Sequence, residues 1–181
     1  MIPAPTQSAK VMLLGDIGVG KTSLAERLVF DRFDADYKST LGVDVFTHDV
    51  DLGPECDDAK LRLVLWDTDG DFGPCILDTV YLTGASAAIG VADATRPTTI
   101  VTMTALLARF EEDFPGHATA AIVNKIDLAP HMSRAAVAPQ LETIYTSAKT
   151  GEGVEQIFVD VGRAVWRRGF DSRLIASRRH G

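Results

Sequence analysis

The sequence predicts one doubly wound α/β domain with a mainly parallel sheet and helices on both faces. Apolar runs and helix-period segments alternate along the 181 residues in β-then-α order, which is typical of βαβ units. A glycine-rich turn separates the first apolar run from the first amphipathic segment. Ligands of such sheets bind outside the carboxyl ends of the strands, so we expect the functional residues there.

The first half of the predicted sheet contains a hairpin. Residues 10–15 form a buried strand, and residues 21–33 carry apolar side chains at the spacing of an amphipathic helix. Residues 42–52 and 59–68 alternate at period two, and the turn-rich GPECDD between them predicts an antiparallel pair.

The second half continues the alternation of strands and helices. The runs 85–93 and 118–125 are short, apolar and bounded by turns, as central strands buried on both faces are. Between them, residues 96–114 predict a helix with a proline in its first turn, where the missing N–H costs nothing. TIYTS (143–147) predicts the last strand, and residues 153–170 predict a closing helix.

The charge distribution argues against nucleic-acid binding. The net charge is −7, yet residues 163–181 hold six arginines and one acid, so the rest of the chain is strongly acidic and repels polyanions. We interpret 1–8 as a flexible arm, 9–170 as the domain and 171–181 as a basic tail. The tail is either a solvated helix end or a contact for an acidic partner or lipid.

No segment predicts membrane insertion or lipid attachment. No apolar run approaches the roughly 20 residues that span a bilayer, and the N-terminus lacks the pattern of a secretory signal. The C-terminal SRRHG lacks the cysteine box of prenylation. We therefore expect a cytoplasmic protein without a lipid anchor, recruited to a membrane only peripherally and through partners.

The segment GDIGVGKT (15–22) follows the first predicted strand and matches the pattern G-x-x-x-x-G-K-[ST]. Its glycines let backbone N–H groups surround phosphate oxygens, and the helix that follows adds a partial positive charge. Lys21 is placed to reach the β- and γ-phosphates, and the Thr22 hydroxyl to coordinate Mg²⁺. The nucleotide-binding candidates of this phosphate loop and the next residue are Gly15, Asp16, Ile17, Gly18, Val19, Gly20, Lys21, Thr22 and Ser23.

Two later motifs predict which base is bound. NKID (124–127) follows a buried strand, and a carboxylate there can accept from both the N1–H and the exocyclic amine of guanine. Adenine presents no such pair of donors, so Asp127 favours guanine. Lys125 would lie along the base, and Asn124 would connect neighbouring loops. The SAK motif would supply a backbone N–H to the guanine carbonyl through Ser147, Ala148 and Lys149.

In order, KVMLLGDIGVGKTSL, YKSTLGVD, LWDT, NKID and TSAKTGEGV resemble the signature segments of the Ras-superfamily small GTPases, in particular those of the Rab branch. The resemblance covers residues 9 to about 168. It implies a P-loop NTPase G domain with a six-stranded sheet and five helices. It also implies GTP or GDP with Mg²⁺ as ligands, and two switch segments.

The resemblance assigns roles outside the three motifs as well. Phe33 would stack on the guanine, and Thr40 would be the Mg²⁺ ligand of switch I. Asp67 would hold Mg²⁺ through water, and the backbone N–H of Gly70 would contact the γ-phosphate. The catalytic candidates are Lys21, Thr40, Gly70 and Asp71.

The stretch LWDTDGDFGP (65–74) departs from the family pattern at two positions. Asp69 stands where alanine is usual, and Asp71 stands where a glutamine orients the attacking water. An ionised aspartate accepts hydrogen bonds but donates none, and it adds negative charge beside the triphosphate. Ile17 replaces a small residue in the phosphate loop and would obstruct an arginine inserted by a partner. We expect slow hydrolysis and resistance to arginine-finger activation.

Three alternatives to a slow GTPase switch remain open. Turnover stays ordinary if Asp71 acts as a general base or if a partner supplies the missing group. The protein is instead a non-hydrolysing interaction module, a pseudo-GTPase, if the nucleotide is only a structural cofactor. A P-loop kinase is the third alternative, which NKID, SAK and the lack of an obvious lid disfavour.

Rab-like proteins present an aromatic patch between the switches to effector and regulator proteins. Trp66 and Tyr81 match two of its positions, whereas Val45 stands where phenylalanine is usual. We expect Trp66 to be exposed and to bind a partner. The resemblance further implies a monomer. The departures from the eukaryotic pattern leave room for a prokaryotic relative, of the kind often paired with a small roadblock-type regulator.

Overall fold

The computed structural model describes residues 7–36, 42–68, 80–132 and 142–178, without the side chains of residues 80 and 170–178. Six strands form one sheet in the order β2-β3-β1-β4-β5-β6. Only the β2–β3 pair is antiparallel among the pairs in this part of the chain. The strands are β1 (Gln7–Leu14), β2 (Val43–Asp51), β3 (Lys60–Thr68), β4 (Ala85–Asp93), β5 (Ala118–Asn124) and β6 (Thr143–Tyr145).

Three α-helices lie within the described ranges, of the five that the resemblance implies. They are α1 (Lys21–Phe30), α2 (Thr98–Asp113) and α3 (Val154–Arg178). Short 3₁₀ turns cover Pro54–Cys56, Val80–Leu82 and Ile126–Leu128.

The sheet carries an apolar core on each face. On one face, side chains such as Leu13 and Leu63 pack under α1 and α3, where Phe158 is fully buried. On the other face, Met12 packs under α2 together with Phe110. The predicted α/β class, with a mainly parallel six-stranded sheet and helices on both faces, is confirmed.

Two helix ends differ from the predicted ones by three residues or more. Helix α1 ends at Phe30 instead of residue 33, because Asp31 takes a left-handed conformation (φ 50°) and its N–H bonds the Arg27 carbonyl. Helix α3 continues through Gly169 to Arg178, so part of the predicted basic tail is helical. A lone glycine costs a helix only about 1 kcal/mol, which is too little to end it.

Within the part of the chain that the structure describes, no helix is both long and apolar enough to cross a membrane.

Leu107 of α2 packs closely against Gly90 of β4. Its side chain is 1% exposed, and a Cβ added to Gly90 would come within 2.8 Å of it. We expect Leu107→Ala to lower the free energy of unfolding by about 2–5 kcal/mol, because it leaves a cavity. Urea unfolding measures the loss.

Val101→Ala is the matched control on the same helix. Val101 is 72% exposed, so its truncation should change the free energy of unfolding little. Equal losses for the two variants would contradict this packing.

Candidate nucleotide-binding site

The site lies at the carboxyl ends of three neighbouring parallel strands. The phosphate loop begins directly after β1, Asp93 ends β4 and Asn124 ends β5. Because β1, β4 and β5 are adjacent in the sheet, these ends meet at one edge. The strand order therefore brings the phosphate loop and the NKID segment together.

Lys21 is the first residue of α1, and its ammonium group turns back over the phosphate loop. Its Nζ donates to the carbonyls of Gly15 at 2.9 Å and Asp16 at 3.0 Å. The side chain is buried. A cation held inside a glycine-rich loop at a helix N-terminus is suited to binding a phosphate.

Gly20 is required by the contact between the phosphate loop and β5. Its φ is +101°, and a Cβ added there would lie 2.4 Å from the Asn124 Nδ2. Any larger residue would push the two segments apart.

Thr22 and Asp67 place two oxygen ligands together beside Lys21. The Thr22 hydroxyl donates to the Asp67 carboxylate, which lies fully buried near the end of β3. Within the described ranges, no cluster of three or more histidine, cysteine or acidic side chains could hold a metal. Mg²⁺ prefers few protein oxygens completed by waters and substrate phosphates, so this donor pair fits it.

Asn124 joins the phosphate loop to the SAK segment. Its Nδ2 donates to the Val19 carbonyl at 3.1 Å. Its Oδ1 accepts from the Ala148 N–H at 3.1 Å and from the Thr146 hydroxyl at 3.2 Å. The side chain is 1% exposed, so these bonds lie in a region from which water is largely excluded.

The two segments that would read the base contact each other directly. The Asp127 carboxylate accepts from the Ser147 hydroxyl at 2.7 Å. Arg27 of α1 supports the same region, because its guanidinium donates to the Ala148 and Lys149 carbonyls at 2.7 and 2.6 Å. Sequence reasoning missed Arg27, since nothing in an amphipathic helix indicates which distant loop one arginine will bond.

Asp93 is a buried carboxylate that sequence reasoning also missed. It is 2% exposed and accepts from Lys125 Nζ at 2.7 Å and Arg96 Nε at 3.1 Å. The N–H and hydroxyl of Thr95 bond its other oxygen. Burial raises the pKa of Asp93, but the bonds from Lys125 and Thr95 outweigh it and hold the pKa below its ordinary value.

Both cations that bind Asp93 also reach the phosphate loop. Lys125 Nζ donates to the Gly18 carbonyl at 2.6 Å, and Arg96 Nη2 donates to the Ile17 carbonyl at 2.8 Å. The Lys125 ammonium therefore lies against the phosphate loop as well as near the base-reading segment. The only sequence signal for these residues was position: Asp93 ends a central strand, and Arg96 lies in the short loop that follows it.

The remaining predicted site residues divide into two groups. Ile17 and Ser23 are half-buried, and Phe33 is 39% exposed in the loop after α1, so its stacking on guanine stays a prediction. Thr40, Asp69, Gly70 and Asp71 lie outside the described residues.

Val45, Trp66 and Tyr81 lie on one face beside this site. Val45 pairs with Trp66 across β2 and β3, and the Trp66 and Tyr81 ring centroids are 6.3 Å apart. Val45 and Tyr81 are exposed, but Trp66 is half-buried instead of exposed. Trp66 is half-buried because Tyr81 and Lys10 cover part of its ring. The Lys10 ammonium lies 3.7 Å from the centre of that ring. Burial also lowers the pKa of Lys10.

Comparison with known proteins identifies the family. The family model described as "Ras family" matches residues 10–167 of this chain. The chain belongs to the Ras family. As a member of that family it is a small GTPase, a GTP-binding switch protein whose cofactors are guanine nucleotides.

The relatives found by sequence place this Ras-family chain on the Rab side. It is 33% identical to "Ras-related protein Rab-22A" of Homo sapiens over 164 residues, which cover 86% of this chain and 82% of that protein. It is 32% identical to "Ras-related protein Rab-31" of Homo sapiens with the same coverage. The predicted resemblance to Rab-like small GTPases is confirmed.

Gly20→Ala tests the contact between the phosphate loop and Asn124. The added methyl group would enter space occupied by the Asn124 amide, and the left-handed backbone adds roughly 1–2 kcal/mol of strain. We expect GDP affinity to fall by about tenfold or more, which corresponds to at least 1.4 kcal/mol. Calorimetric titration with GDP measures the change.

Gly116→Ala is the control for backbone strain alone. Gly116 also has a positive φ of +74°, but nothing lies within 4 Å of an added Cβ, and its turn precedes β5 at the opposite edge of the sheet. This variant should lose some stability and keep its GDP affinity. An affinity loss as large as that of Gly20→Ala would show that the contact with Asn124 is irrelevant to binding.

Proposed function

We propose that this chain binds GTP and GDP with Mg²⁺ and acts as a molecular switch that hydrolyses GTP slowly. The observation that carries the proposal is the Asn124 side chain, which bonds Val19 of the phosphate loop and Ala148 of the SAK segment at once. A phosphate-binding loop and a base-reading segment joined by one buried amide suit a nucleotide that spans both.

The phosphate end of the nucleotide would displace existing contacts of Lys21. The Lys21 ammonium now donates to two carbonyls of its own loop, and the negative oxygens of a β- or γ-phosphate are stronger acceptors. Lys21 would therefore transfer its bonds to the phosphates with little movement of the loop.

Thr22 and Asp67 would hold Mg²⁺, the first directly and the second through water. When bound, Mg²⁺ supplies positive charge to the β- and γ-phosphate oxygens. The Thr22 hydroxyl could keep donating its hydrogen to Asp67 while a lone pair of its oxygen coordinates the ion. Thr40 is proposed as the further ligand, from switch I.

Asp127 would select the base. One of its oxygens already accepts from Ser147, which limits rotation of the carboxylate. A carboxylate held in place can accept both the N1–H and the exocyclic amine of guanine. Adenine lacks that pair of donors, so its binding would leave the carboxylate without the two bonds.

Slow hydrolysis is proposed from residue chemistry at Asp71. An ionised carboxylate in the place of the usual glutamine cannot donate toward the γ-phosphate, and Asp69 adds a second negative charge nearby. The approach of a partner's arginine would also meet the branched side chain of Ile17, one residue before Gly18. Each effect opposes the charge stabilisation on which phosphoryl transfer depends.

Partners would bind the face formed by Val45, Trp66 and Tyr81 together with the two switch segments. Val45 and Tyr81 are 52% and 45% exposed, and each neighbours Trp66, so the three side chains form an exposed apolar patch. The Lys10 ammonium holds the Trp66 ring in place within this face through the cation–π contact. We propose effector and regulator proteins, including a roadblock-type regulator, as the ligands of this face, with the chain itself a monomer.

Asp127→Ala tests guanine selection. The variant loses two charge-assisted hydrogen bonds to the base, so GDP affinity should fall by about 100-fold or more, whereas ADP affinity should not change. Calorimetric titration with GDP and ADP measures both. Asp113→Ala, which removes an exposed carboxylate paired with Arg109 on α2, is the control.

This hypothesis fails on either of two results. One is a parent protein that binds ADP as tightly as GDP. The other is an Asp127→Ala variant whose GDP affinity equals that of the parent.

Asp71→Gln tests slow hydrolysis. Restoring a side chain that both donates and accepts should raise the single-turnover rate of GTP hydrolysis by about tenfold or more, because water and γ-phosphate would then be bridged. The measurement uses protein loaded with GTP and Mg²⁺. A parent that already converts its GTP quickly, or a variant that gains nothing, would refute the explanation.

Asp58→Asn is the matched control for loss of a carboxylate. Asp58 is exposed in the β2–β3 turn at the opposite edge of the sheet, and asparagine tolerates its left-handed backbone (φ 51°). Its hydrolysis rate should equal that of the parent. GTP that persists for days in both the parent and Asp71→Gln would favour the non-hydrolysing module.

A further inference from the structure

Five successive carbonyl groups of the phosphate loop accept hydrogen bonds from side chains. Lys21 bonds the first two, and three side chains from the ends of β4 and β5 bond the next three. The donors to the carbonyls of Ile17, Gly18 and Val19 are Arg96 at 2.8 Å, Lys125 at 2.6 Å and Asn124 at 3.1 Å. Each of these five peptide units is therefore held by a side chain.

Each of these bonds also sets the direction of a backbone N–H. A trans peptide unit is planar, so its C=O and its N–H point in opposite directions. The Ile17 carbonyl shares a peptide unit with the Gly18 N–H. When Arg96 holds this carbonyl outward, the Gly18 N–H points toward the interior of the loop, where an anion would lie.

The Ile17–Gly18 peptide unit is the one that most needs such a restraint. Gly18 has a φ of +71° and carries no Cβ, so it adopts positive and negative φ with similar ease. Rotation of this unit would turn the N–H away from the phosphate and the carbonyl toward it. A carbonyl oxygen facing a phosphate oxygen is repulsive, and binding would weaken.

Arg96 is well placed to prevent that rotation. It lies just before α2, and its Nε donates to the buried Asp93 carboxylate at 3.1 Å while Nη2 donates to Ile17. A guanidinium is a rigid planar fork, so one group bonded to Asp93 aims the other at the carbonyl. A lysine carries its donors on a single nitrogen at the end of a flexible chain, so a bond to Asp93 would not aim a second nitrogen at the Ile17 carbonyl.

We propose that Arg96 is a positioning residue of the phosphate loop, which keeps the Gly18 N–H directed at a bound phosphate. The proposal rests on the proposed binding of guanine nucleotides at this site. It concerns the phosphates alone, because the contacts of Arg96 are with Asp93 and the phosphate loop and not with Asp127 or Ser147.

A purely structural role for Arg96 has a different consequence. The Arg96 side chain is 41% exposed, and without it the buried Asp93 carboxylate would still accept from Lys125 and Thr95, so the loss of Arg96 should change the free energy of unfolding little. Its loss should therefore appear in nucleotide dissociation and scarcely in urea unfolding. A structural salt bridge would show the opposite order.

The experiment measures the dissociation rate of N-methylanthraniloyl-GDP from full-length protein in the presence of Mg²⁺. Arg96→Ala should release the nucleotide about tenfold faster than the parent, because one charge-assisted hydrogen bond to the loop is lost. Arg96→Lys should fall between the two. Arg109→Ala removes another ion-paired arginine, on α2, and should match the parent.

A second measurement separates the phosphates from the base. Inosine diphosphate lacks the exocyclic amine, so the ratio of GDP to IDP affinity reports the Asp127 contact. This ratio should be unchanged in Arg96→Ala and reduced in Asp127→Ala. A ratio that falls in Arg96→Ala would overturn the assignment of Arg96 to the phosphate loop.

A dissociation rate for Arg96→Ala equal to that of the parent would overturn the inference and leave the proposed function intact. If Arg96→Ala does not fold, Arg96→Lys decides, since a rate equal to that of the parent would overturn the inference and a faster one supports it. A parent that binds no guanine nucleotide would overturn the proposed function, and this inference with it.

Discussion

The arrangement of the nucleotide site depends on the buried carboxylate of Asp93. Burying a charged group is costly unless it is paired and hydrogen-bonded, and Asp93 meets both conditions through Lys125, Arg96 and Thr95. The bonds from Lys125 and Thr95 lower the pKa of Asp93 more than burial raises it. Because both cations extend from Asp93 to carbonyls of the phosphate loop, one carboxylate links β4, β5 and that loop.

The bounds of strands and helices could be predicted where the local sequence pattern determines them. The predicted bounds of β4 agree with the structure at both ends, because a continuous apolar run between turn residues has one simple solution in a parallel sheet. Helix ends were predicted less well. Asp31 ends α1 with a left-handed cap three residues before the predicted end, and α3 continues past its predicted end at residue 170 to Arg178.

Only the site residues that lie within contiguous sequence motifs could be predicted. The phosphate loop, NKID and SAK each concentrate their chemistry in a few adjacent residues, so their roles could be proposed from sequence. Arg27 and Arg96 act on loops that lie 121 and 79 residues away in the chain. Nothing in the periodicity of a helix or a turn predicts such partners, and the cover that Lys10 gives Trp66 was missed for the same reason.

In the proposed function, nucleotide binding and hydrolysis draw on different parts of this chain, and that separation would explain how Asp71 can be tolerated. Apart from Lys21, the side chains that bond the phosphate loop lie at or just beyond the ends of β4 and β5, where Asp93 and Asn124 are 2% and 1% exposed. Asp71 follows β3 in the sequence and belongs to neither strand. In the proposed function, a carboxylate at that position would raise the barrier to phosphoryl transfer by its charge and its missing donor, yet it would remove none of the bonds that Arg96, Lys125 and Asn124 make to the loop. Since those bonds set the directions of the loop N–H groups, affinity for the nucleotide can persist while its turnover slows.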